Sequence, residues 1–166
     1  DGARGLAADV EAYGKWMQEE AQRLIGHHYP DVTLPNGTKA TPIAWIWART
    51  INSPDPAWPG QVPLVGSWVL SKKPRKPVVW VEPLVDPSTY SIRYEVRVGG
   101  TPPDGLVTRQ GGICIGTGSA IPFSYIREEA RADRLGCALL AVVAEGPSGR
   151  VYVSPLPEHE TVQMPE

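Results

Sequence analysis

A chain of 166 residues with 42% hydrophobic and 20% charged side chains is long enough to close one core and is balanced like an ordinary globular domain. Its net charge of −2 excludes a nucleic-acid binder that works through a global basic field and leaves only a local patch open to that role. Two cysteines, Cys114 and Cys137, exclude a disulfide framework and point to a reducing compartment.

The longest apolar run, 137–144, is too short to cross a bilayer, and the N-terminus carries acids in an amphipathic pattern rather than a signal peptide. The expected setting is therefore cytoplasmic, with no membrane partner. A start at Asp1 without Met leads us to expect a piece of a larger protein. The expected layout is one domain over 1–166, with a helical lead-in (1–30), a core (41–154) and a polar, extended tail (155–166). The oligomeric state is not legible.

In chain order, the spacing of Leu6, Val10, Tyr13, Met17, Ala21, Leu24 and Ile25 predicts a helix over 5–26, closed by Gly26. Asn36-Gly37 marks a tight turn. From Ile43 the period changes to two, and 42–50 reads as a strand. The proline-dense loop 53–60 follows, then strands over 62–71, 77–82 and 91–98, the last with one wet face. Gly99 to Gly105 reads as a turn and Gly111 to Gly118 as a glycine-rich loop.

A second helix is expected over 124–135, with Ser124 as N-cap and Gly136 closing it, followed by a hairpin of 137–144 with 150–154. Eighteen Pro and seventeen Gly fit this turn-rich reading. The fold class is α+β: a mostly antiparallel sheet of about six strands, an N-terminal helix and one helix near 124–135. The expected core holds Ile43, Trp45, Ile46, Val79, Val81, Ile92, Leu139, Val142 and Val151.

Searches for catalytic patterns return nothing. There is no phosphate-binding loop, no dinucleotide fingerprint and no nucleophile elbow; Gly116-Thr117-Gly118 fails on spacing. Cys137 opens an apolar strand and reads as a buried, inert thiol. Glu128 and Glu129 read as solvated acids on a helix N-terminal turn, since adjacent residues do not share a face. No catalytic residue is assigned.

Two turns look like metal knuckles that have lost ligands. A structural zinc site needs four Cys or His ligands, two from each of two short turns. Ser53 and Trp58 bracket one turn with four residues between them, and Cys114 and Thr117 bracket another with two. Only Cys114 is a competent ligand, so no zinc is expected. The basic cluster Lys72, Lys73, Arg75 and Lys76 sits between two strands and could reach phosphates, or could be a solvated turn. Trp58 could offer a base a stacking face.

The segments Gly5 to Met17, Ile43 to Thr50, Val62 to Val65, Ile121 to Arg127 and Ala141 to Gly146 together resemble, in order, the region around the zinc ribbon of large adenine-specific DNA methyltransferases. In that family the two turns look like C-x4-C and C-x2-C, which fall here on Ser53, Trp58, Cys114 and Thr117. Three of the four ligand positions are replaced, and the expectation is that Trp58 fills with apolar bulk the space zinc would take.

The resemblance implies a parent that transfers methyl groups from S-adenosylmethionine to the N6 of adenine through a D/N/S-P-P-Y/F loop acting on a flipped base. Thr101-Pro102-Pro103-Asp104 lacks that loop's polar acceptor and aromatic and reads as a turn. The implied role is a non-catalytic inserted domain with no cofactor of its own. Its partners would be the rest of the parent methyltransferase and, through the basic turn, DNA. The alternative is a structural or protein-interaction module of a DNA modification or defence complex, without DNA contact.

Overall fold

The structure is a computed structural model that describes residues 2–29, 31–34, 36–146 and 149–160. It is α+β with antiparallel pairing throughout the described sheets. In chain order the elements are α1 (Gly2–Ile25), β1 (Val32–Thr33), β2 (Lys39–Ala40), β3 (Pro42–Asn52), β4 (Gln61–Pro63), β5 (Val69–Ser71), β6 (Val79–Asp86) and β7 (Ser91–Val98). There follow β8 (Val107–Thr108), β9 (Gly111–Ile113), β10 (Ala120–Ile121), α2 (Phe123–Arg131), β11 (Gly136–Gly146) and β12 (Gly149–Val153). In place of one six-stranded sheet the strands divide into four, ordered β12-β11-β3-β4, β5-β6-β7, β10-β9-β8 and β1-β2.

β11 is an inner strand of the four-stranded sheet, and Leu139 to Ala144 are all buried. Leu139, Val142 and Ala144 face one cluster, which the β1–β2 hairpin covers with Val32 and Leu34. Leu140 and Ala141 face a second cluster, shared with Trp68, Val81 and Val65. Two neighbours in sequence share that face because the pairing with β3 shifts register between Leu139 and Ala141, and such a bulge resets the alternation. A third cluster joins Ile51, Trp58, Val62, Cys114 and Ile121.

The elements depart from expectation in ways that have local causes. The expected strand 62–71 is two strands, because Gly66 is approached by another backbone: a Cβ on Gly105 would lie 2.1 Å from the Gly66 carbonyl oxygen. α2 starts at Phe123 after Pro122, so Ser124 is not its cap. It ends at Arg131, where Asp133 takes the left-handed turn (φ 54°) that sequence reasoning gave to Gly136. Gly136 serves pairing instead, since a Cβ there would meet the Thr50 hydroxyl at 2.5 Å.

In the expected core, Val81, Leu139 and Val142 are buried and Trp45, Ile46, Val79, Ile92 and Val151 half-buried. Ile43 is 46% exposed, because the β3–β11 register passes from Ala44 to Pro42 and leaves it unpaired. Cys137 is exposed and pairs with the equally exposed Arg49, which corrects the buried thiol. The N-terminal helix starts three residues earlier than expected and ends at Ile25, with Gly26 opening a 3-10 turn, Gly26–His28, and every described side chain from Arg4 to Ile25 is exposed except Glu20.

The expected extended tail instead turns through a short 3-10 segment, Pro157–His159, which buries His159; residues 161–166 of that tail lie outside the described residues. His159 Nδ1 accepts from the Leu156 amide at 3.1 Å. Burial holds the imidazole below its ordinary pKa, opposed by the nearby Glu158. The folded state therefore favours neutral His159, and the unfolded chain takes up a proton first as pH falls. We expect stability to drop as pH falls through the ordinary imidazole range. His159→Gln should flatten that step in melting curves recorded against pH; an unchanged step would remove His159 as its source.

Candidate functional site

The four knuckle positions come together in space. Ser53 lies just after β3, and its hydroxyl donates to Cys114 Sγ at 3.4 Å across 61 residues of sequence. Asp55 folds the first turn by accepting from the Ala57 amide at 3.0 Å. The second turn closes through the Gly118 amide on the Cys114 carbonyl, at 2.8 Å. Thr117 is exposed and donates to Ser119, which in turn donates to Asp55, so a hydroxyl chain ties the two turns.

Between the turns stands Trp58, 2% exposed. A Cβ on Gly116 would lie 2.0 Å from its ring, so the second turn's backbone rests on the indole, where only glycine fits. Tyr90 meets the ring edge-on at 5.6 Å. Trp58 is packed between the turns, and its burial removes it as a stacking face for a base.

The donors do not suit zinc. Burial pushes the Cys114 thiol up, but hydrogen bonds from Ser53 and Thr117 and from the Gly116 and Thr117 amides outweigh it and lower its pKa overall. One thiol beside two hydroxyls and an indole is not a four-ligand set. No group of three or more His, Cys, Asp or Glu suited to a metal occurs among the described residues. Elemental analysis of the purified protein should find no stoichiometric zinc; one bound zinc per chain would overturn the packing account.

The Pro-Pro turn is also structural. Asp104 bridges Ser67, and its carbonyl accepts from the Trp68 indole at 3.1 Å. Glu129 differs from its expected solvated state: it is buried and accepts a bidentate bond from Arg134, whose hydrogen bonds lower its pKa. It braces the end of α2.

The basic cluster occupies the turn between β5 and β6, with Lys72, Lys73, Arg75 and Lys76 all exposed. The Lys76 amide donates to the Lys73 carbonyl at 3.2 Å, closing a four-residue turn with Pro74 and Arg75 at its centre. Arg75 sits at φ 60°, a conformation that glycine takes freely and that costs other residues about 1–2 kcal/mol.

A groove of about 240 Å³ opens beside this turn, lined by Lys73 and Lys76, by Val79 and Val98, and by Arg150, Val151 and Tyr152 of β12. None of its lining residues is acidic. Sequence reasoning missed Arg150 and Tyr152, which lie more than seventy residues from the turn; only the sheet packing brings them there. A larger groove of about 480 Å³ lies along β7 and the C-terminal segment. Its rim mixes Arg93 with Glu95 and Glu160, and its Ser154 hydroxyl is engaged by the Val96 amide.

No helix among the described residues is long and apolar enough to cross a membrane. No family model, curated protein or solved structure matches the chain.

Proposed function

We propose that this chain is a non-catalytic module that grips the DNA backbone, through the β5–β6 turn and the adjoining face of β12, for an S-adenosylmethionine-dependent adenine-N6 DNA methyltransferase. The methyltransferase assignment rests on the resemblance of five ordered segments and on the two knuckle-like turns, whose four marker positions share one neighbourhood. The methyl donor and the base-flipping loop belong to the rest of such a parent.

The observation that carries the DNA reading is the basic turn itself. Four cations stand on it, and the adjoining groove, bordered by Lys73, Lys76 and Arg150, has no carboxylate lining. Arg75 occupies a left-handed position that glycine would fill without strain, and its cation stands at the apex of the turn. Tyr152 and the arginine and lysine stems give sugar and phosphate a mixed apolar and cationic surface.

The test is a titration of labelled duplex DNA at low and moderate salt. Wild type should bind in a salt-dependent, sequence-tolerant way, and Lys73→Glu or Arg75→Glu should weaken it. Absence of measurable binding at low salt would sink this reading. A protein-interaction module without DNA contact would then stand in its place, and the exposed apolar residues of α1 favour that second reading.

A further inference from the structure

The helix α1 carries a surface that the fold leaves unused. Leu6, Val10, Tyr13, Met17 and Leu24 are 66%, 64%, 69%, 63% and 54% exposed. They recur at spacings of four and three, the seam of a paired helix, with Glu20 in the one remaining seam place. A 24-residue helix with no packed face is marginal in water, so a sequence that keeps this stripe calls for something to cover it. Gly14 stands in mid-helix at a cost of about 1 kcal/mol relative to alanine, and among the described residues no atom beyond its chain neighbours and the helix's own nearby backbone comes within 4 Å of where its Cβ would be. Nothing among the described residues of the single chain requires glycine there.

We propose that α1 pairs antiparallel with α1 of a second copy of this chain, the two helices crossing on a two-fold axis beside Gly14 and Trp16. The charges select this occupant and this direction. A parallel pair would set Glu20 against the partner's Glu20 in the seam. An antiparallel pair sets Glu20 opposite the partner's Val10, Tyr13 opposite the partner's Met17, and Leu6 opposite the partner's Leu24. Arg23 already holds Glu20 through Nε and one Nη at 2.9 and 2.5 Å, which neutralises the seam carboxylate.

In the same register one flank brings Asp9 against the partner's Arg23, twice by symmetry, with Trp16 against the partner's Trp16 between them. The other flank brings Ala7 against the partner's Ala21 and Gly14 against the partner's Gly14. Backbones approach closely on that side, which gives the glycine its reason. The surface is thus self-complementary in charge, size and shape, as a two-fold interface demands. This pairing is independent of the basic turn and of the DNA reading.

Sedimentation equilibrium of the whole chain should show a reversible monomer–dimer equilibrium. Met17→Glu should raise the dissociation constant at least about tenfold, the effect of losing about 1.4 kcal/mol at the seam. Gly14→Leu should weaken the dimer as strongly while raising the helicity of the dilute monomer by circular dichroism, so that a merely helix-weakening role is separated from a crossing role. Asp9→Arg, which sets like charges against the partner's Arg23, should weaken association, whereas Asp9→Glu should not.

In a Cys137→Ser background, Trp16→Cys should be captured as a dimer by a short thiol cross-linker, whereas Leu6→Cys should not link to itself. A chain monomeric at every concentration, a dimer indifferent to Met17→Glu or Gly14→Leu, or self-linking through Leu6→Cys would each overturn the proposal.

Discussion

Replacing Trp58 by alanine lowers the unfolding free energy by about 3–5 kcal/mol, the range for losing a buried aromatic from a core that cannot collapse. The site collapses poorly because, besides the side chains of its cluster, the backbone of the second turn walls it in. The Gly116 backbone lies against one face of the ring and the Tyr90 ring against its edge, and the Ser53–Cys114 bond fixes the separation of the turns. Such a loss is a large share of an ordinary domain's stability of about 5–15 kcal/mol. Trp58→Phe should cost much less, because the buried indole N–H has no hydrogen-bond partner to lose. Gly116→Val, which drives a side chain into the ring, should be as damaging as Trp58→Ala. Urea melts read by circular dichroism decide the matter. A Trp58→Ala loss within about 0.5 kcal/mol, the size of an ordinary surface change, would show that the indole does not hold the turns together. Wild-type melts should also be indifferent to a chelator, in contrast to folds whose stability is the binding energy of zinc.

The legible part of this fold was the part set by local periodicity. Ile92, Val96 and their wet neighbours Arg93 and Arg97 alternate over Ser91–Val98, and the strand has the predicted bounds. The α1 stripe was equally plain, yet periodicity states only that one face is apolar, not that the same chain covers it. What failed was set by pairing. The bulge in β11 decides which side Leu140 and Ala141 take, and the register shift at Ala144 turns Ile43 outward. Gly136 looked like a helix stop because glycine serves both chain reversal and close approach, and only the position of Thr50 distinguishes the two uses. At the candidate sites, reading the two turns as halves of one knuckle pair pointed to 53, 58, 114 and 117 as one neighbourhood, whereas Arg150 and Tyr152 carry no local signal that ties them to residues 72–76.

Charge reversal on the basic turn should be the larger functional effect. If Lys72, Lys73, Arg75, Lys76 and Arg150 each neutralise one phosphate, counterion release gives a slope of about −4.5 for log affinity against log salt. Affinity then falls on the order of 500-fold between about 50 and about 200 mM salt. A Lys73→Glu/Arg75→Glu double variant should reduce the slope by about 1.8 and weaken binding at low salt by at least about a hundredfold, since each site passes from attraction to repulsion. The turn is exposed and its side chains support no core cluster, so the double variant should melt like wild type, and Arg75→Gly should hold or raise stability by relieving the φ 60° strain. That contrast separates electrostatics from folding: Arg75→Gly keeps the turn and removes one cation, so it should lower the slope by about 0.9 while leaving the melt intact. Arg150→Ala should lower the slope by the same amount, because β12 rather than the turn supplies that charge. A slope unaffected by Arg150→Ala would confine the contact to the turn and remove the groove from the interface.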